Sequence, residues 1–334
     1  MKKNISPLIL SFLFLIVSAC SEQATDPPDN QSTSKWEKVS DLPGSVRKVQ
    51  VVDNIIYASV ASQNNTFFCK SADKGLTWET RQIDQIIHDQ HSTLLVNGDN
   101  AYIGSFGLYT SNDRGQNWLR NTNLDSLAGS KQFILNCISV LGDKIYLGHS
   151  FPNRPDPIRG VMISTDNGNN WYSPQMPKYY VYDMIAFETH IIFTMFKVYI
   201  TTDNFNTFYE ASGDWANYRD INKIVNVGIR IFAVDSENIY YSDNGGTFWL
   251  RGNHGFPSFN DNYHFVAHTF AHNEEYVFIC RSNGVIYYSK ISEIDWKVFD
   301  SELPERSYIQ LLFTVDNYLY YSANLGVWRA KISE

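Results

Sequence analysis

The sequence has few charges, few cysteines and no long helix-forming runs. Only 19% of its 334 residues are charged, and no basic block stands out among the 27 lysines and arginines. This argues against a protein that holds nucleic acid through its phosphates. Runs rich in Ala, Leu, Glu and Lys are missing, whereas Ser, Asn, Asp, Thr and Gly are frequent, which favours many short strands and turns. With 43% apolar residues, the chain can still bury a sizeable core.

Common catalytic motifs are missing as well. The chain contains no G-x-S-x-G, no P-loop and no H-E-x-x-H. An active site assembled from distant segments leaves no such motif, so an enzyme stays open. Cys69, Cys137 and Cys280 lie in distant segments and are an odd number, which cannot pair completely. We interpret them as small buried residues rather than a disulfide framework or a metal site, and we expect no cofactor.

The first 34 residues are typical of an export signal followed by a linker. Lys2 and Lys3 precede a mostly apolar run over residues 5–17, which is short for a membrane-spanning helix. Residues 17–20 read Val-Ser-Ala-Cys and resemble a bacterial lipobox, which implies lipid attachment at Cys20. The alternative is an ordinary signal peptide with an incidental cysteine.

This leader defines the expected domains and location. We expect a lipoprotein signal peptide over 1–19, a flexible polar tether over 20–34 and one folded domain over 35–334. The lipid would hold the domain in the bacterial cell envelope, either in the periplasm or at the cell surface.

An eight-residue pattern, S-x-D-x-G-x-x-W, recurs along the chain. Full copies occupy 71–78, 111–118 and 164–171, and weaker copies occupy 201–208, 242–249 and 289–296. The residue types predict a turn between two strands: the Asp accepts backbone N–H groups, the Gly takes a positive φ, and the Trp packs back over the turn. The residues assigned to these structural turns are Ser71, Asp73, Gly75, Trp78, Ser111, Asp113, Gly115, Trp118, Ser164, Asp166, Gly168, Trp171, Asn244, Gly246 and Trp249.

The pattern resembles the Asp-box, or bacterial neuraminidase repeat, which implies a β-propeller whose boxes lie at the blade periphery, away from the ligand. Aromatic residues mark one slot per unit, at 36, 78, 118, 171, 208, 249 and 296. This spacing of about 40 residues is typical of four-stranded propeller blades. The last unit has only three strands, and the lone strand at Trp36 can complete it. We therefore predict an all-β, seven-bladed propeller closed by the N-terminal strand, with six or eight blades as alternatives.

Three histidines, His264, His268 and His272, are spaced by four residues and suggest a metal site. The apolar and β-branched residues between them favour a strand instead. On a strand, neighbours in this series lie about 13 Å apart, whereas Zn–N bonds are about 2 Å long. We therefore predict no metal site here, and the box turns likewise lack the alternating acidic ligands of a calcium loop.

Sialidase activity is the enzymatic function that the resemblance implies. Such enzymes need an arginine cluster, a Tyr nucleophile with a Glu partner and an Asp acid/base. Their usual Arg-Ile-Pro motif is missing here, although Arg47, Arg219 and Arg306 sit near the starts of inner strands. A hydrolase would also need two carboxylates about 5 to 9.5 Å apart at the channel mouth. Asp183, Asp214 and Asp220 are the candidates.

A non-catalytic binding module is the preferred interpretation. Exposed aromatic residues beside arginines suit a sugar or a protein partner, and the longest insertion, 149–159, is expected on the same face. The competing interpretation is that many of these aromatics only pack the loops down. The candidate binding residues are Arg154, Arg159, Tyr180, Trp215, Arg219, Phe259 and Tyr263.

The resemblance also extends to the propellers of the photosystem II assembly-factor family and of sortilin-type receptors, which bind proteins. We expect a monomeric domain that binds an envelope or extracellular protein, or a glycan, and touches the membrane only through its lipid. The alternatives are a glycoside hydrolase of sialidase or xyloglucanase type, and a scaffold subunit of an envelope complex.

Overall fold

The computed structural model describes residues 35–332, apart from 40–41, 63–64, 85–92, 106, 129–133, 151–159, 175–179, 216–220, 236, 257–268, 281–283, 305–308 and 324–325. The predicted signal peptide, the tether and Cys20 therefore lie outside the described residues. The only described helix, α1 (Thr122–Ala128), has seven residues. No helix in the described ranges is long and apolar enough to cross a membrane.

The described strands form seven sheets, antiparallel apart from one short pairing in blade 5, and these sheets are the blades of a propeller. An N-terminal strand, β1 (Trp36–Lys38), precedes blade 1, which contains β2 (Ser45–Val52), β3 (Ile55–Ser62), β4 (Asn65–Ser71) and β5 (Glu79–Asp84). Blade 2 contains β6 (Thr93–Asn97), β7 (Asn100–Ser105), β8 (Gly107–Ser111) and β9 (Leu119–Arg120). Blade 3 contains β10 (Ile134–Leu141), β11 (Lys144–Ser150) and β12 (Gly160–Ser164), and blade 4 contains β13 (Asp183–Phe187), β14 (His190–Thr194), β15 (Val198–Thr201) and β16 (Tyr209–Glu210).

The remaining strands form three further blades. Blade 5 contains β17 (Ser212–Gly213), β18 (Lys223–Val227), β19 (Arg230–Val234), β20 (Ile239–Ser242) and β21 (Phe248–Arg251). Blade 6 contains β22 (Phe270–His272), β23 (Tyr276–Cys280), β24 (Ile286–Lys290) and β25 (Lys297–Asp300). Blade 7 contains β26 (Leu311–Val315), β27 (Tyr318–Ala323) and β28 (Gly326–Lys331).

The predicted number of blades and the predicted closure are both confirmed. β1 pairs antiparallel with β28, with Trp36 opposite Ala330 and Lys38 opposite Trp328, so the N-terminal strand supplies the fourth strand of blade 7. Hydrophobic residues also form seven core clusters, each between two neighbouring blades. One cluster joins Phe313 of blade 7 to Val46 of blade 1. The ring is therefore closed by packing as well as by hydrogen bonds.

Two blades depart from the simple four-stranded pattern. In blade 3 the outer strand is reduced to a single bridge between Ile163 and Tyr172. In blade 5 the connector strand β17 adds a short parallel pairing along the outer strand β21. This connector covers part of an edge that would otherwise expose unpaired backbone groups.

The innermost strand of each blade, counted from here on as its first strand, lies beside the central channel, and in blade 5 this strand is β18. Inner strands of neighbouring blades contact one another there without forming a shared sheet. Between these inner strands, side chains of one blade form hydrogen bonds with backbone groups of the next. Gln50 both donates to the Val96 carbonyl and accepts from the Val96 N–H. Asn136 donates to the Val181 carbonyl at 2.8 Å. These bonds hold adjacent inner strands in register around the channel.

Antiparallel pairing gives the propeller two different faces. The loop face carries the connections between blades and between second and third strands, and the inner strands begin there. The turn face carries the tight turns between first and second strands. In blade 1 that turn is Asp53-Asn54, with φ values of 51° and 61°, as expected for a two-residue hairpin that matches the strand twist.

Candidate functional site

The repeated turns are closed by their own side chains. In the first copy the Ser71 hydroxyl donates to Asp73 at 2.8 Å and accepts the Gly75 N–H at 2.8 Å. The same Asp73 oxygen, Oδ1, accepts the Thr77 N–H at 2.9 Å, and the second oxygen, Oδ2, accepts the Thr77 hydroxyl at 2.5 Å. The Trp78 indole donates to the Gly75 carbonyl at 3.0 Å. Hydrogen bonds from Thr77 lower the pKa of Asp73 to about 2, so the carboxylate is occupied within its own turn.

The bonds of the Ser or Thr hydroxyl recur in the second to fifth copies, and the weaker of these copies show which residues can be exchanged. The sixth copy differs, because its Trp296 indole donates to the Gly252 carbonyl instead. Asn244 takes the place of the Asp and accepts from Ser242 at 2.9 Å. At the glycine position of the fourth copy stands Phe205, which keeps the positive φ, at 66°, and is fully buried. The turn therefore depends on the bonding pattern more than on the glycine.

Three of the repeated turns also join their blade to the preceding blade through a hydrogen bond to a turn carbonyl. The Tyr102 hydroxyl donates to the Asn167 carbonyl at 3.1 Å, and the Tyr320 hydroxyl donates to the Lys74 carbonyl at 3.1 Å. His190 contacts the Gly245 carbonyl in the same way at 2.9 Å. Because these bonds connect the turns to neighbouring blades, the turns help to stabilise the packing of the blades.

On the turn face, a cavity of about 970 Å³ opens between the tight turns of blades 1, 5, 6 and 7. Its acidic lining comes from Asp53, Glu274, Glu275 and Asp316. His272 also lines it, and burial lowers the pKa of this imidazole. No group of three metal-ligating side chains occurs in the described part of the chain.

Near the loop face, the channel contains a cluster of opposite character. Asp183 and Lys223 are the first residues of the inner strands β13 and β18, and the Lys223 ammonium lies 2.7 Å from the Asp183 carboxylate. The ammonium of Lys48, on β2, lies against that of Lys223. We call these three residues the channel cluster. Two cations and one anion give it an excess of one positive charge.

The backbone fixes the anion of this cluster. Asp183 accepts the N–H of Ile224 from the next blade at 3.2 Å, and its own N–H is held by the Thr194 hydroxyl at 3.1 Å. Its side chain is only 9% exposed, whereas that of Lys223 is 27% exposed. The carboxylate is therefore a fixed part of the channel wall, and the Lys223 side chain is the more exposed partner of this ion pair.

The pKa of Lys48 shows the effect of this crowding. The positive charge of Lys223, followed by burial, lowers the pKa of Lys48 from 10.5 to about 8, and Asp183 only partly opposes this. Next to the cluster, burial followed by the charge of Asp183 raises the pKa of the Cys137 thiol. Cys69, Cys137 and Cys280 are all buried, and no disulfide occurs in the described ranges.

A bulge helps to place Lys48. The pairing of β2 with β3 shifts between Val46 and Lys48, so strict alternation is broken at Arg47. A similar shift in β10, between Leu135 and Cys137, lies near the same level of the channel. Such bulges redirect side chains at functional or structural edges of a sheet.

Of the seven predicted binding residues, the described part of the chain contains two. Trp215 is half-buried and packs on Tyr240 and Trp249, with ring centroids 4.9 Å and 5.6 Å apart. Tyr180 is half-buried on the loop face, just before β13. Arg154, Arg159, Arg219, Phe259 and Tyr263 lie outside the described residues, as do His264 and His268. A role of Trp215 in ligand binding stays a prediction. Its ring contacts with Tyr240 and Trp249 are those of a side chain that stabilises the fold.

The candidate carboxylates do not form a described pair. Asp183 is engaged by Lys223 and by backbone, Asp214 is exposed in the connector before β18, and Asp220 lies outside the described residues. The sequence analysis did not single out Lys48 or Lys223. A signal was present, because both lysines stand among apolar residues of inner strands, where a charged side chain points to the channel.

No family model and no curated protein matches the chain. Among solved structures, YCF48 bound to D1 peptide is similar with a TM-score of 0.62 at 13% identity, over 90% of this chain and 98% of that chain. The extracellular domain of the hybrid two component system BT4673 from B. thetaiotaomicron gives 0.64 at 11% identity, over 88% of this chain and 39% of that chain. The GH74 enzyme of Niastella koreensis gives 0.52 at 14% identity, over 86% of this chain and 65% of that chain. At these identities the likeness shows the β-propeller fold alone.

Proposed function

We propose that this propeller is a non-catalytic binding module that holds a protein partner on its loop face. The channel cluster carries the proposal, because it places an excess positive charge near this face in a protein whose net charge is −8. A local field opposite to that of the whole molecule guides a complementary partner to one place. The similar propeller of YCF48 was solved with a peptide bound, which is consistent with this use of the fold.

The hydrolase alternative has less support. A glycoside hydrolase needs one carboxyl group that donates a proton and a second that acts as base or nucleophile. The salt bridge and backbone bonds of Asp183 leave this carboxylate little freedom for either role. A glycan remains the second kind of partner in the proposal, since aromatic residues such as Tyr180 stand on the loop face.

We further propose that lipid at Cys20 holds the module in a bacterial cell envelope, with residues 20–34 as the tether, and that the domain is a monomer. The first described strand, β1, begins on the turn face, which is opposite to the proposed binding face. In Cys20→Ser, the protein should move from the membrane fraction to the soluble fraction. Retention of this variant in the membrane fraction would contradict the anchor.

Site-specific photocrosslinking of the full-length protein in cells tests the binding face. A photoreactive residue replaces Tyr180 on the loop face or, as the matched control, Ile229, which is 86% exposed on the turn face. We expect one discrete protein adduct from position 180 and none of that size from position 229. Adducts from position 229 alone would contradict the proposed face.

Hydrolase assays are the companion experiment. Wild-type protein should leave fluorogenic sialosides and xyloglucan intact. Hydrolysis that is lost in Asp183→Asn or Asp214→Asn, at an unchanged unfolding temperature, would overturn the non-catalytic proposal.

A further inference from the structure

Among the residues that the structure describes, the charges of the channel cluster are not balanced. The Asp183 carboxylate pairs with Lys223 at 2.7 Å, and it is also held by the Ile224 N–H. Among the described residues, Lys48 makes no ion pair, and the charge of Lys223 acts on it more strongly than any other charge. The ammonium groups of Lys48 and Lys223 therefore lie together in the channel, and a single carboxylate, that of Asp183, accompanies the two positive charges.

We propose that the channel cluster is a subsite for a carboxylate group of a peptide ligand, which is held between the ammonium groups of Lys48 and Lys223. This inference rests on the proposed protein-binding function and names the chemistry that the binding face recognises. One carboxylate oxygen would accept a hydrogen bond from each ammonium group, and such charge-assisted bonds are among the stronger polar contacts in proteins.

The number of charges selects the class of anion. The cluster has one excess positive charge, which a carboxylate neutralises. A phosphate dianion would leave an uncompensated negative charge beside the fixed carboxylate of Asp183, and buried unpaired charges are costly. The Cys137 thiol adds no opposing charge, because burial raises its pKa and keeps it protonated.

The shape of the molecule sets the direction of approach. The inner strands that carry Asp183 and Lys223 begin at the loop face. At the opposite end of the channel, the cavity on the turn face is lined by Asp53, Glu274, Glu275 and Asp316. A carboxylate is repelled from that end and attracted at the loop face, so the peptide should enter from the loop face.

Titration of the full-length protein with small probes tests the subsite. The probes are short Gly-Ala peptides with an acetylated N-terminus, in three forms: a free C-terminal carboxylate, an amidated C-terminus, and an amidated C-terminus with one internal Asp. Inorganic phosphate is the fourth probe. The readout is the pKa of Lys48, followed by NMR of ¹³Cε-labelled lysines.

A bound carboxylate favours the protonated amine, so we expect it to raise the pKa of Lys48 above about 8. The two carboxylate-bearing peptides should produce this shift, and the neutral peptide should not. If the peptide with the free C-terminus binds more tightly, the natural ligand group is a chain terminus. If the peptide with the internal Asp binds more tightly, the ligand group is an acidic side chain. A larger shift with phosphate than with either carboxylate would overturn the proposed ligand class.

Variants separate this proposal from its premise. Because Lys48→Met has no Lys48 signal to follow, isothermal titration calorimetry with the carboxylate-bearing peptides measures binding to the variants. Lys48→Met should weaken carboxylate binding at least tenfold, whereas Lys297→Met, on the outer strand of blade 6, should leave it unchanged. Because Lys48→Met removes a repulsion, the variant should fold; Lys223→Gln is the second variant, and thermal unfolding checks both. Unchanged carboxylate binding in Lys48→Met would overturn the subsite, and adducts at position 180 would then still support protein binding. Lys48-dependent carboxylate binding without any adduct at position 180 would overturn the proposed function instead.

Discussion

The indole of Trp36 donates a hydrogen bond of 2.8 Å to the carboxylate of Asp300, a residue 264 positions later in the chain. Trp36 is 6% exposed, and its ring meets Tyr321 edge-on with centroids 4.8 Å apart. Lys35 adds an ion pair to the same carboxylate at 3.4 Å. The first described residues therefore hold blades 6 and 7 together, besides completing the sheet of blade 7.

Substitution of Trp36 should destabilise the closure of the propeller between blades 6 and 7. Trp36→Ala deletes a buried aromatic side chain, and we expect it to lower the free energy of unfolding by about 3–5 kcal/mol. Trp36→Phe is the matched variant: it keeps most of the packing and loses the bond to Asp300, at a cost of about 2 kcal/mol. Urea denaturation followed by fluorescence and circular dichroism gives both values. Equal losses in the two variants would contradict a packing role for the ring.

The glycine of a repeated turn should matter more than a glycine of a tight turn. Gly115 has a φ of +82°, and an added Cβ would lie 2.2 Å from the Phe68 ring. Gly98 also has a positive φ, of +61°, but an added Cβ would meet nothing within 4 Å. Both alanine variants incur the left-handed strain, about 1–2 kcal/mol, and only Gly115→Ala must also displace the ring.

Thermal unfolding of the two alanine variants measures this difference. We expect Gly115→Ala to have the lower unfolding temperature. If Gly98→Ala were equally destabilised, the contact between the turn and blade 1 would contribute nothing.

The fold was largely predictable because residues close together in the sequence form the contacts that close each repeated turn. The eight residues from Ser71 to Trp78 contain both the hydrogen bonds and the ring that close each turn, so the spacing of such turns counts the blades. The closure of the ring by the N-terminal strand was predictable because Trp36 has the spacing of the repeat tryptophans but no turn sequence precedes it. The single bridge at Tyr172 and the added pairing of β17 depend on contacts between segments, which no local pattern records.

The channel cluster was harder to foresee for a physical reason. Lys48, Asp183 and Lys223 belong to three different blades, and only the ring brings them together. The bulge between Val46 and Lys48 also breaks the alternation from which the direction of a side chain is read. Most of the predicted binding residues lie outside the described ranges, so that part of the binding face stays a prediction.

The interaction of the two lysines should be visible in a charge-deletion experiment. In Lys223→Met the largest cause of the lowered pKa of Lys48 is removed, while the attraction of Asp183 remains. We expect the pKa of Lys48 to rise from about 8 towards 10.5. In Asp183→Asn the attraction is lost instead, and the pKa of Lys48 should fall further. NMR of labelled lysines measures both shifts, and movement in the same direction in the two variants would contradict the assigned contacts.

The same lowered pKa predicts how stability depends on pH. In the folded protein Lys48 loses its proton near pH 8, whereas in the unfolded chain it keeps the proton up to about pH 10.5. Between these values the unfolded state binds more protons, so the contribution of Lys48 to the free energy of unfolding rises with pH. Below about pH 8 both states are protonated, and the repulsion destabilises the folded state in full.

The measurement is a set of urea denaturation curves from pH 7 to 10. The groups that face Lys48 are Lys223, Asp183 and Cys137, and they are present in both proteins compared, wild type and Lys48→Met. Other titrations therefore largely cancel in the difference between the two stabilities. We expect the variant to be more stable than the wild type at pH 7 and the difference to shrink steadily as the pH approaches 10. A difference that does not change over this range would show that Lys48 is already free of the charge of Lys223 in the folded protein.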